Sequence, residues 1–170
     1  MKRFSLSLIL LILLALNIST ANADVNVTLT FPASDFTLSQ KSGKGIVYDF
    51  VSLKGCSYTG SPGEPMIPVK TVYLSIPANE EPDIVIASIT TTANYTITNK
   101  IYPAQYPVAA NGVEKNVPFE EPNGVYSNNA SYPGTNANTV HSGCLGGYKI
   151  VAVNVFPVQY KPVTQNENTA

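Results

Sequence analysis

The sequence predicts an all-β fold, a single β-sandwich or jelly-roll-like domain behind an N-terminal leader. Three observations predict it. Thirteen Pro and 11 Gly punctuate the 170 residues too often for long helices. The apolar runs between them are short and rich in Val, Ile, Thr and Tyr, the residues that suit a pleated, half-buried surface. No segment carries the i, i+3, i+4, i+7 apolar spacing over three turns that an amphipathic helix needs.

The chain opens with Lys2 and Arg3, an apolar stretch from Phe4 to Leu16 broken only by Ser5 and Ser7, and Ala21-Asn22-Ala23 ahead of Asp24. That is the order of a removable export signal: a basic start, an apolar middle and a small-x-small cleavage site. The apolar stretch falls short of the ~20 residues that span a bilayer. The expected layout is therefore a signal peptide over 1–23, a β domain over 24–163 and a polar tail over 164–170, with no membrane attachment after cleavage and a secreted, extracytoplasmic location.

Strands follow in order. Val25 to Phe31 alternates apolar and polar and stops at Pro32, which predicts a strand with one buried face. Gly45 to Leu53 predicts a second, with Ile46, Tyr48 and Phe50 on one face and Val47 and Val51 on the other. Val72, Leu74 and Ile76 predict a third between Pro68 and Pro77. Asp83 to Lys100 reads as a long strand that changes face near Thr90 to Ala93, where a bulge or turn is expected. Gly147 to Phe156 is apolar on both sides and predicts a central, doubly covered strand. Gly112 to Gly147, with Pro118, Pro122 and Pro133 among many Gly, Asn and Ser, reads as a long exposed excursion.

Charge narrows the function classes. Ten basic residues stand against 11 acidic ones. Losing Lys2 and Arg3 with the leader leaves eight lysines, no Arg and a net charge of −3. No two of these lysines are adjacent, so the clustered cations that neutralise nucleic-acid phosphates are missing. No cofactor is expected. Glu80, Glu81 and Asp83 near Pro77 and Pro82 match no calcium loop and read as a solvated turn. Glu120 and Glu121 are adjacent on an extended chain, where side chains point apart, so they do not form an acid/base pair. The tyrosines at 58, 95, 102, 106, 126, 132, 148 and 160 suit packing better than a sugar platform. Beyond the expected leader, acceptor patterns for N-glycans begin at Asn26, Asn94 and Asn129.

Cys56 and Cys144 are the two cysteines, and in an oxidising compartment a disulfide is one reading of them. Bridging would stabilise the fold by roughly 4 kcal/mol. His141, the single His, lies three residues before Cys144, which raises the alternative of a nucleophilic pair. That chemistry needs the imidazole to face the sulfur and a third group to orient it, and a Gly-containing loop secures neither. The chain is accordingly expected to be noncatalytic.

Three ordered blocks carry a resemblance. Gly63-Glu64-Pro65-Met66-Ile67-Pro68 resembles the G-x-P-x-L/I-P signature of the propeptides of gingipain-type cysteine peptidases. Lys100 to Pro107, with Pro103, Ala104, Gln105 and Pro107, is similar to the family's P-A-Q-x-P stretch. Gly146 to Val163, ending in Pro157, Gln159, Tyr160 and Pro162, looks like its last strand. The resemblance implies a β-sandwich prodomain that accompanies a secreted, caspase-like cysteine peptidase, blocks its cleft until activation and assists its folding. In such prodomains a basic side chain fills the specificity pocket. Here the stretch from Glu121 to Gly146 holds no Lys or Arg, which leaves Lys115, His141 and Lys149 as candidates. The peptidase partner is expected in cis or in trans, the chain being a separate inhibitor or a truncated precursor. An extracellular adhesion or carbohydrate-binding module is the rival reading.

Overall fold

Residues 25–90, 93–107 and 117–162 are described in a computed structural model of the chain. The expected leader, the polar tail and Lys115 lie outside the described residues. Six strands are present: β1 (Phe36–Gly43), β2 (Ile46–Leu53), β3 (Ser57–Thr59), β4 (Ile67–Pro77), β5 (Ala137–Leu145) and β6 (Tyr148–Val155). Among the described residues the helical elements are two single 3-10 turns, Ala33–Asp35 and Gly124–Ser127. The all-β expectation is borne out. β1 and β2 form one antiparallel sheet; a second has the order β3-β4-β6-β5, antiparallel throughout.

Two tight hairpins organise the strands. β1 and β2 turn at Lys44-Gly45 and β5 and β6 at Gly146-Gly147, and all four turn residues have positive φ. A two-residue turn with positive φ at both centres matches the twist of the strands it joins, which explains the glycines. β2 is covered on both faces from Tyr48 to Val51, as its pattern predicts, while Ile46 and Val47 at the hairpin tip are exposed. β6 lies between β4 and β5 with Val151, Ala152 and Val153 buried.

Three strand expectations are corrected. Val25–Phe31 is largely exposed chain with no strand pairing, and the first strand is Phe36–Gly43. Alternation describes one covered face but does not supply a neighbouring ladder. The described part of Asp83–Lys100 is not a strand either, and Thr91 and Thr92, within the expected bulge, lie outside the described residues. At its end the backbone N–H groups of Thr98 and Asn99 donate to the Asp49 carboxylate at 2.7 and 2.9 Å, so a side chain takes the donors that a ladder would have used. Within the expected excursion over 112–147, residues 137–145 form β5.

The two sheets share one apolar cluster. Val51 of β2 meets Ile67 and Val69 of β4, and Ile101, Tyr126, Phe156 and Tyr160 complete it. Each such burial stabilises by roughly 1.5–3 kcal/mol, and the cluster draws in loop residues as well as strands.

Candidate functional site

The first two family blocks meet in space. Between β3 and β4, the Gly63 N–H donates to the Ala104 carbonyl at 2.9 Å, the Ala104 N–H to the Glu64 carbonyl at 2.8 Å and the Met66 N–H to the Tyr102 carbonyl at 3.0 Å. Pro65 stands opposite Pro103 in an isolated antiparallel bridge, and both are buried. Two proline-rich segments thus form a short ladder, with fixed φ at its centre and little conformational freedom. Gly63 is needed here twice. Its φ is +83°, and a Cβ would approach the Glu121 carbonyl oxygen to 3.0 Å.

Glu64 ties the layer together. Its Oε2 accepts from the Ser61 N–H at 3.0 Å and from the Tyr132 hydroxyl at 3.1 Å. Burial, helped by the negative charge of Glu64, pushes the Tyr132 hydroxyl far above its ordinary pKa. Gln105 closes the other side: its amide donates to the Pro103 and Glu120 carbonyls, both at 3.0 Å, and its oxygen accepts from the Glu120 N–H at 2.8 Å. Pro107 is exposed at the edge of this layer.

The third block joins through tyrosines. Tyr160 and Tyr132 exchange backbone hydrogen bonds of 2.8 Å, and the rings of Tyr160 and Tyr126 pack edge to face at 6.0 Å. The Tyr126 hydroxyl donates to the Ile101 carbonyl at 2.7 Å. The buried Tyr160 hydroxyl has no well-aligned hydrogen-bond partner among the described residues, and burial pushes its pKa up to about 12. Gln159 donates to the Thr135 carbonyl at 2.9 Å. Pro157 is half-buried and Pro162 is buried. The packing expected of the tyrosines holds for Tyr102, Tyr126, Tyr132 and Tyr160. It fails for Tyr106 and Tyr148, which are exposed, while Tyr58 and Tyr95 are exposed yet lie against Phe50 and Phe36.

The remaining candidates lie elsewhere. Lys149 does not reach outward. It is buried on β6, and its ammonium donates to the Glu80 carbonyl at 2.7 Å and pairs with Glu81 at 2.6 Å. That anchors the 80–81 turn to the sheet and engages the ammonium within the chain itself. His141 is exposed on β5, opposite Ala152, which is in turn opposite Tyr73 of β4. Cys144 stands three positions on, so strand alternation sends the two side chains to opposite faces and they form no nucleophilic pair. Among the described residues no three His, Cys, Asp or Glu side chains gather to hold a metal.

The structure sets the two cysteines apart. Cys56 and Cys144 are both free thiols. Cys56 precedes Ser57, which pairs with Val69, whereas Cys144 pairs with Lys149, itself opposite Ile76. The step from Val69 to Ile76 covers about 23 Å along the strand, and a bridge needs Cα atoms within ~7 Å. Burial raises the Cys56 pKa, opposed by Lys70.

One site residue escaped the sequence reading. Asp49 is 2% exposed in β2 and accepts from the Thr98 and Asn99 N–H groups and, at 3.0 Å, from the Asn99 side-chain amide. Burial by itself would raise its pKa, but the hydrogen bonds from Asn99 and Thr98 outweigh it and hold the carboxyl below its ordinary value. The Asp49 backbone also bonds to Lys100 and Tyr102, so this residue sets the position of the second block. A charged residue inside an otherwise apolar strand is the sequence signal that could have found it.

The described residues form a small all-β scaffold whose signature segments lock against one another. The Propeptide_C25 family model matches residues 15–168, and the chain belongs to that family. Two solved structures from Porphyromonas gingivalis share the fold. One, concerned with the zymogenic latency of gingipain K, is 24% identical with a TM-score of 0.63, over 75% of this chain and 71% of that one. The other, a complex of RgpB pro- and mature domains, is 17% identical with a TM-score of 0.65, over 77% and 67%. No curated protein matches the chain.

Proposed function

We propose that this chain is a secreted, noncatalytic prodomain, spanning 24–163 behind a signal peptide over 1–23. It binds a gingipain-like, caspase-like cysteine peptidase, keeps it latent and helps it fold. The observation that carries the reading is the convergence of the family blocks into one hydrogen-bonded layer around Glu64, Pro65 and Pro103. A latency domain must present its contacts without much ordering cost on binding, and a proline ladder pinned by buried tyrosines meets that requirement. The chain works by shape and supplies no bond-making group. Among the described residues no helix is long and apolar enough to cross a membrane.

The test is a titration of the purified chain into a gingipain-like peptidase, with peptide hydrolysis as the readout. Saturable inhibition at sub-micromolar concentration is expected, together with a higher yield of active peptidase when it is refolded beside the chain. Lys115→Ala and His141→Ala separate the two remaining candidates for the pocket-filling side chain. Absence of inhibition together with retention on a polysaccharide column would favour the adhesion reading, whose support is the exposure of Tyr73 and Tyr148 on one sheet face.

A further inference from the structure

We propose that Asn123 is a deamidation site of the folded chain, at which the Gly124 nitrogen attacks the Asn123 carboxamide and the backbone beside Gly63 is rewritten. The inference stands apart from the peptidase reading and rests on the geometry of residues 123–125. Asn123 and Gly124 are both exposed. Gly124 brings no side chain to the reacting nitrogen, and a Cβ built there would meet nothing within 4 Å, so the approach is open. Among the described residues no hydrogen bond engages the Gly124 N–H.

Two conformational facts bring nucleophile and electrophile together. The Asn123 Oδ1 accepts from the Val125 N–H at 3.0 Å, which folds the carboxamide back over the intervening peptide. The Asn123 ψ of −169° sets the Gly124 nitrogen gauche to the Asn123 Cβ, on the side where a five-membered ring closes. In ordinary strand backbone, with ψ about +135°, that nitrogen is turned farther from Cβ. The Val125 N–H also acts on the reaction itself. As the new bond forms, negative charge collects on Oδ1, and a donor already aimed at that oxygen stabilises it.

The Gly124 nitrogen loses its proton to a solvent base and bonds to the Asn123 Cγ. The bond from Cγ to the side-chain nitrogen breaks, and ammonia leaves after taking a proton from water. A second water then opens the cyclic imide at either carbonyl. One product is Asp; the other is an isoaspartyl linkage, a methylene longer in the backbone. The fold feels that change. The Asn123 N–H donates to the Gly63 carbonyl at 2.9 Å, the Tyr126 N–H donates to the Asn123 carbonyl at 3.2 Å, and the Tyr126 hydroxyl holds the Ile101 carbonyl. A longer link shifts Tyr126 against Gly63, and the new carboxylate joins a segment that already carries Glu120 and Glu121. The conversion therefore loosens the layer irreversibly.

Asn128 is the internal control. It is exposed, and its Oδ1 accepts from the Ala130 N–H at 3.0 Å, the same contact two residues on, but the next residue, Asn129, carries a side chain. Asn111-Gly112, outside the described residues, is the other Asn-Gly step in the sequence, and Asn111→Gln removes it.

The test is incubation of the Asn111→Gln chain in mildly alkaline buffer, folded and in urea, with peptide mapping by mass spectrometry and an isoaspartyl methyltransferase assay. In the folded chain Asn123 should gain the amide-to-acid mass at least about tenfold faster than Asn128, and at no less than about a tenth of its rate in urea. Gly124 has no positive φ and has room for a methyl, so Gly124→Ala should keep the fold and slow the reaction by about tenfold or more. The isoaspartyl fraction, separated by ion exchange, should unfold at lower urea than the amide fraction. An Asn123 that reacts only in urea, an Asn128 that converts as fast, or a Gly124→Ala chain that reacts at the parent rate would overturn the proposal. An isoaspartyl fraction as stable as the amide form would overturn the loosening of the layer.

Discussion

Replacing Asp49 by Ala should destabilise the fold by about 3–4 kcal/mol. The substitution orphans three donors at once: the Thr98 N–H, the Asn99 N–H and the Asn99 side-chain amide. A buried donor left unpaired costs about 1–3 kcal/mol, and the partial burial of this pocket's rim lets water recover some of that. Asp49→Asn keeps the shape and one accepting oxygen, so it should cost only about 1–2 kcal/mol, the difference between a charged and a neutral acceptor. Urea unfolding followed by tyrosine fluorescence reads both, since the chain has no Trp. The pH dependence is the sharper check. The folded pKa lies below the ordinary value of 3.8, so the contribution is present above that value and is lost as pH falls through the lowered one. Asp49→Asn should therefore remove part of the acid destabilisation of the parent chain. An Ala variant within about 1 kcal/mol of the parent, or an Asn variant with an unchanged acid limb, would refute the account of Asp49 as the post that holds the second family block.

Gly63→Ala should cost at least about 1–2 kcal/mol, because φ is +83° and the new methyl presses on the Glu121 carbonyl; thermal unfolding by circular dichroism measures it. Tyr126→Phe should cost about 1–2 kcal/mol by leaving the Ile101 carbonyl unpaired in the core, a loss visible in urea midpoints without a change in m. Under native conditions a maleimide should label Cys144 quickly and Cys56 more slowly, because Cys144 is exposed and Cys56 is half-buried with a raised pKa. Intact-mass measurement should find two free thiols, and a reductant should leave the Tm unchanged.

The sequence alone determined the fold class, the family and the strands whose apolar residues are dense enough to need burial: β2, β4 and β6. Period-2 runs of Val, Ile and Tyr mark a segment that suits a strand, and these three also found neighbours to pair with. β1 and β5 were illegible by that measure because they are edge strands with mostly exposed residues, so nothing selects apolar side chains along them. Only the Gly146-Gly147 turn signalled the β5–β6 hairpin. Tertiary structure alone decided that Val25–Phe31 and Asp83–Lys100 are not strands, because a ladder requires a partner and the Asp49 carboxylate had already taken the backbone donors of Thr98 and Asn99. It also decided the fate of the cysteines and of Lys149. Registry along β4 separates Cys56 from Cys144, and the turn at Glu80 and Glu81 folds over the Lys149 ammonium. Such outcomes depend on distances between segments far apart in the chain, and local sequence does not encode them.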